Sequence, residues 1–201
     1  MPLRTLTRAL GALLIATALA ACGTSVERLD GDEVRDLSGA WNDTDSRLVS
    51  EEMIQDVLAR AWLQDHVRAQ QRPPAVIVGE VRNLSHEHIN VRTFVADMER
   101  ALINSGRVRF VASRDERGDI RVERRDQELH ARADTRKPMG QELGADYMLT
   151  GTINTIIDAE GRTQVRYYQV DLTLISLADN TKAWVGQKRI RKLVKGANLR
   201  Y

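Results

Sequence analysis

Apolar positions recur at three- and four-residue spacing across residues 46–69, where Val49, Met53 and Val57 alternate with Ile54, Leu58 and Trp62. That period predicts one amphipathic helix, capped by Thr44 or Asp45 and stopped by Pro73-Pro74. The next run, Ala75-Val76-Ile77-Val78-Gly79, is continuous rather than periodic, as in a strand covered on both faces. A second stripe, Phe94, Val95, Met98, Ala101 and Leu102, predicts a helix over 91–104 that ends before Gly106. A strand is expected over 107–111. Residues 114–134 are nearly all charged, with Ile120 and Leu129 among the few apolar members, and read as an exposed helix laced with ion pairs. A short helix is expected after Pro138, ending near Gly144.

Residues 146–157, 162–177 and 182–191 are rich in β-branched and aromatic side chains. Asp158-Ala159-Glu160-Gly161 and Ala178-Asp179-Asn180-Thr181 supply turns between them, so the pattern predicts an antiparallel meander. In the middle run Tyr168, Val170, Leu172 and Leu174 share one face by period two, and Arg166 is the polar outlier of that set. The expected fold class is α/β: a single domain of helices packed on a mixed sheet of about five strands.

The chain begins differently. Arg4 and Arg8 precede an apolar run from Ala9 to Leu19, which is followed by Ala20, Ala21 and Cys22, the one cysteine present. A basic end, a short apolar centre and small residues before a cut are the layout of a secretory signal. The apolar part, about 11 to 13 residues, is too short for a membrane-spanning helix, which needs about 20. Leu-Ala-Ala-Cys resembles the bacterial lipobox, in which the cysteine becomes an acylated amino terminus. Cys22 is therefore expected to be a lipid anchor, and several acyl chains hold a protein at a membrane where one is marginal. Gly23, in place of Asp, favours the outer membrane with the domain facing the periplasm. The expected division is 1–21 signal peptide, 22–44 lipidated terminus and flexible tether, 45–201 globular domain. About 20 tether residues reach at most about 70 Å.

Charge adds little. Without residues 1–21, which hold Arg4 and Arg8, the 30 basic residues fall to 28, equal to the 28 acidic ones. A neutral secreted domain is not expected to bind nucleic acid.

Candidate chemistry is sparse. His86-Glu87-His88 offers two imidazoles without a third ligand at a recognisable spacing, so no metal is expected; Glu87 or His88 capping the following helix is the plainer reading. There is no G-x-S-x-G elbow and no phosphate loop, so neither cofactor nor enzymatic activity is expected. The densest basic segment runs from Lys188 to Lys195. On a strand it places Lys188, Ile190 and Lys192 on one face and Arg189 with Arg191 on the other. It reads either as a charge-protected edge strand or as a docking surface for an acidic partner. Tyr167, Trp184, Lys188, Arg189, Arg191 and Lys192 are the candidate partner contacts, because aromatic and arginine side chains anchor interfaces.

Several separated blocks, among them "LSGAWNDTDSRLVSEEMIQD", "PAVIVGEVRNLSHEHIN", "GADYMLTGTI" and "YYQVDLTLISLADNTKAWVGQKRIRK", resemble the LpoB family, outer-membrane lipoprotein activators of bifunctional penicillin-binding proteins. The likeness covers roughly residues 37–192. It implies a fold like the amino-terminal domain of TolB and a non-enzymatic role: docking on a peptidoglycan synthase and stimulating glycan polymerisation. The best-known members carry a long proline-rich tether, where this chain has about 20 residues and no proline. The alternative reading is an accessory subunit of another envelope complex with a TolB-like domain.

Overall fold

Asn42 starts the first helix. Its Oδ1 accepts from the Asp45 N–H at 3.0 Å while Asp45 Oδ2 accepts from the Asn42 N–H at 3.0 Å, a reciprocal capping box. The cap is thus Asn42, rather than Thr44 or Asp45, and Asp45 is its third-residue partner. The structure, a computed structural model, describes residues 26–30, 33–34, 36–137, 139–140 and 142–196.

The helix expected over 46–69 is two helices, α1 (Asp43–Ala59) and α2 (Ala61–Gln70). Arg60 between them is extended, with φ −82° and ψ 157°. The break re-aims the apolar stripe: α1 buries Val49, Met53 and Val57, whereas α2 buries Trp62, Leu63 and His66. Trp62 Nε1 donates to the Val57 carbonyl at 2.7 Å, satisfying an acceptor that the end of α1 leaves open.

β1 (Ala75–Asn83) outruns the apolar stretch that predicts it, and α3 (Val91–Asn104) has the expected bounds. β2 shrinks to Arg109–Phe110, and α4 (Arg114–His130) is a helix with no fully buried residue. The short helix expected after Pro138 is not formed at the described residues 139–140 and 142–146, which are bends and irregular backbone. So short a segment does not offset helix nucleation, and Gly140, at φ 105°, leaves helical space. β3 (Tyr147–Glu160), β4 (Thr163–Ser176) and β5 (Lys182–Lys195) form the expected meander.

The sheet order is β2-β1-β3-β4-β5. β1 runs parallel to β2 and β3, while β3, β4 and β5 are successively antiparallel, so the sheet is mixed. α1 packs on α3 and on β5, and α3 packs on β1. Phe94 and Met98 from α3, Met53 from α1, and Ile153, Tyr168 and Leu172 from the sheet fill the core between them. Gly186 lets α1 approach β5: a Cβ there would lie 2.1 Å from Trp184 Cζ2 and 2.8 Å from Met53 Sδ.

The chain divides into Met1–Arg35 and Asp36–Tyr201. In the first unit the described residues 26–30 and 33–34 are exposed, and the Glu33 N–H donates to the Asp30 carbonyl at 3.1 Å. Cys22 and the expected signal peptide lie outside the described residues. Residues 36–42, assigned by composition to the tether, belong to the folded unit. Trp41 meets Tyr168 edge-on with centroids 5.5 Å apart, one of several contacts that hold the segment down. No helix among the described residues is long and apolar enough to cross a membrane.

Candidate docking surface

Period two sorts the cations of β5 onto opposite faces. Toward the helices, Lys188 Nζ pairs with Glu52 of α1. Lys192 Nζ lies 2.6 Å from Asp45 Oδ2 and 3.1 Å from Asp36 Oδ1, and donates to the Ala40 carbonyl at 3.2 Å. Its side chain is only 12 % exposed, and it draws the Asp36 carboxyl below the usual carboxylate range, helped by Asn42. Both lysines therefore fasten the amino-terminal part of the domain to the sheet.

Trp184 lies on the same face. It is 5 % exposed, and its Nε1 donates to Asp56 Oδ2 at 2.7 Å. Trp184, Lys188 and Lys192, expected as partner contacts, thus each make a contact inside the fold.

Tyr167, Arg189 and Arg191 occupy the opposite face. Arg191 is paired in register with Tyr167, and its guanidinium sits 5.5 Å from the centre of the Tyr167 ring. Arg189 and Arg191 are exposed, and neither meets a carboxylate among the described residues. Beside them a polar row crosses the strands. Tyr167 donates to Gln169 at 2.9 Å, and Gln169 and Gln187 each donate to Asp171 at 2.8 Å. Ile156, the β3 neighbour of Tyr167, is 64 % exposed, and Leu193 and Val185 are exposed along β5. This face combines free cations, an aromatic ring and uncovered aliphatic groups.

A second constellation forms at the amino-terminal segment. Glu87 Oε1 accepts from Arg166 Nη1 at 2.8 Å and from the Tyr168 hydroxyl at 2.7 Å, while Oε2 accepts from the Trp41 N–H at 3.0 Å. The Tyr168 oxygen is also 2.9 Å from the Gly39 carbonyl. Burial, then Glu87, pushes the Tyr168 phenol far above its ordinary value. Glu87 therefore joins three parts of the domain, and it does not cap α3; Asn90 does, accepting from the Arg92 N–H at 3.2 Å. His86 and His88 are exposed on either side of Glu87. Among the described residues no group of three or more His, Cys, Asp or Glu could hold a metal ion.

The described residues thus form a mixed sheet with α1 and α3 packed on one face. The sequence model of the family "Peptidoglycan-synthase activator LpoB" matches residues 45–190. The chain belongs to that family of activators. No curated protein matches it in sequence. Similar solved structures include lipoprotein GNA1162 from Neisseria meningitidis, at 15 % identity over 63 % of this chain and 88 % of that one, TM-score 0.39. The LpoB C-terminal domain from Salmonella enterica is 14 % identical over 66 % of this chain and 100 % of that one, TM-score 0.36. The corresponding domain from Escherichia coli is 13 % identical over 65 % and 98 %, TM-score 0.37.

Proposed function

We propose that the protein is an outer-membrane lipoprotein, anchored through acylated Cys22, that binds and activates a bifunctional penicillin-binding protein through the open face of its sheet. It acts by docking and carries out no catalysis. The observation that carries the docking face is the pairing of Arg191 with Tyr167 beside Arg189, which meets no carboxylate among the described residues, on the face opposite Trp184, Lys188 and Lys192. Free arginines next to an aromatic and exposed aliphatic groups suit an acidic partner surface with an apolar centre. Membership of the activator family supplies the partner class.

With the folded unit starting at Asp36, the proposed tether is the stretch from Cys22 to Asp36. About 13 residues between Cys22 and Asp36 reach at most about 45 Å. The synthase must project toward the outer membrane to meet the domain. The same short reach favours the second reading, an accessory subunit of an envelope complex that is itself in the outer membrane.

The test adds the full-length protein, in detergent, to each bifunctional synthase of the same organism and follows glycan polymerisation at several salt concentrations. Salt-sensitive stimulation of one synthase supports the proposal. Neither stimulation nor binding with any of them rejects it in favour of the second reading.

A further inference from the structure

The loop between β1 and α3 stands away from the far ends of β3 and β4 and leaves an open groove of about 1150 Å³, with Ala40 and Trp41 along one side. From its chemistry we infer that this groove binds a neutral glycan bearing acetamido groups. The inference rests on the proposed function for its choice of a wall polymer; the rest of the argument is local.

The groove has little charge to offer. Glu87 and Arg166 neutralise one another across 2.8 Å, which leaves Asp158 as the unbalanced charge among its lining residues. A phosphate or carboxylate ligand would face that carboxylate without a free cation to hold it. Three other lining groups have unused hydrogen-bonding capacity. Thr155 Oγ1 is enclosed and has no hydrogen-bond partner among the described residues, and the imidazoles of His86 and His88 are exposed. A hydroxyl both donates and accepts, and imidazole ring nitrogens also form hydrogen bonds, as sugar hydroxyls and acetamides do. An enclosed hydroxyl without a partner costs free energy that a ligand group can recover.

Apart from Gln164, the rest of the lining is apolar. Ile156, Ile157 and Ala159 lie along the strands opposite Trp41. Sugar rings present C–H faces that pack on such groups, and an acetyl methyl adds a further apolar contact. Pockets that bind small molecules combine a mainly apolar wall with a few placed polar groups in this way. Thr155, Ile157 and Arg166 line the groove from the helix side of the distal strands, whereas Arg189 and Arg191 point to the other face; Ile156, beside Tyr167 on that face, is a lining residue that the two surfaces share.

The test titrates the full-length protein with a β-1,4-linked N-acetylglucosamine tetramer, using the glucose tetramer of the same linkage as control. Saturable binding of the acetamido tetramer, not matched by the control, is expected. It should weaken by about tenfold in Thr155→Val, the loss of one good hydrogen bond, and also in a His86→Ala, His88→Ala double variant. Absence of saturable binding overturns the inference, as does equal binding by the folded variants. Synthase stimulation, measured on the same samples, keeps the two readings apart. Thr155→Val leaves the arginine face intact and is expected to stimulate fully. Glycan binding by a protein that stimulates no synthase would reject the docking proposal while supporting the groove.

Discussion

The Tyr168 hydroxyl lies 2.7 Å from Glu87 Oε1, joining the middle of β4 to a loop that precedes it by 81 residues. Tyr168 is fully buried, and Glu87 is also held by Arg166 and the Trp41 backbone. One phenolic proton therefore serves a charged acceptor in an enclosed place, where a missing partner is expensive.

Tyr168→Phe should lower stability by about 1–3 kcal/mol, read from urea denaturation. The neighbouring Tyr167→Phe should change it by less than about 0.5 kcal/mol, because its hydroxyl bonds to Gln169 at the surface. Equal costs for the two would contradict the role given to Glu87.

Stability should fall as the pH drops below about 6.5. His66 is buried on α2, with Nδ1 3.2 Å from the Tyr147 hydroxyl and Nε2 unbonded, 3.7 Å from Asp146 Oδ2. Burial holds its pKa below the ordinary histidine value, Arg72 adds to this, and Asp146 opposes it. The unfolded chain thus takes up the proton first, so the stabilisation is complete above the unfolded pKa and is lost as pH falls toward the folded one. Glu99, pushed up by burial and by Glu116, acts in the opposite sense at the acid end of the range. The difference between wild type and His66→Gln isolates the imidazole, and the variant should show the flatter curve of urea midpoint against pH.

Trp184 and the outward arginines should separate stability from docking. Trp184→Ala removes a core side chain and should cost about 3–5 kcal/mol. Arg189→Glu with Arg191→Glu should leave stability within about 0.5 kcal/mol and abolish synthase stimulation. Stimulation that survives the charge reversal would move the docking face elsewhere.

Cys22→Ala should abolish acyl labelling and shift the protein from the membrane fraction to the soluble one. Unchanged attachment in a fractionation experiment would refute the lipid anchor.

The parts of the fold that the sequence states most clearly are those with one uninterrupted period. The stripe of α3 ends just before Gly106 and Tyr168 to Leu174 alternate without a break, so both were readable. The break at Arg60 was not, because the two stripes overlap in a three-and-four pattern and only their phase differs. Residues 36–42 look like tether by composition, since a few specific contacts rather than many apolar ones hold them. The role of Glu87 had a signal in the sequence. Arg166 falls on the apolar face of β4, and a cation there requires a carboxylate from elsewhere in the chain. For Trp184, the signal was Gly186 on the same face, marking a strand that another element approaches closely.

The turn between β4 and β5 holds its shape through Asn180, at φ 61°, and through Asp179, which accepts from the Thr181 hydroxyl at 2.8 Å. Its length decides more than the shape of a hairpin. One added residue that shifted β5 by one step would turn every side chain of the strand over. Lys188 and Lys192 would swing into solvent, and Gln187 and Arg191 would face Glu52 and Asp45 in their place. With an uncharged insertion the net charge would not change, yet the open face would present a different pattern to whatever approaches it. The sidedness of that surface is therefore encoded in the spacing of a loop that contributes no residue to it.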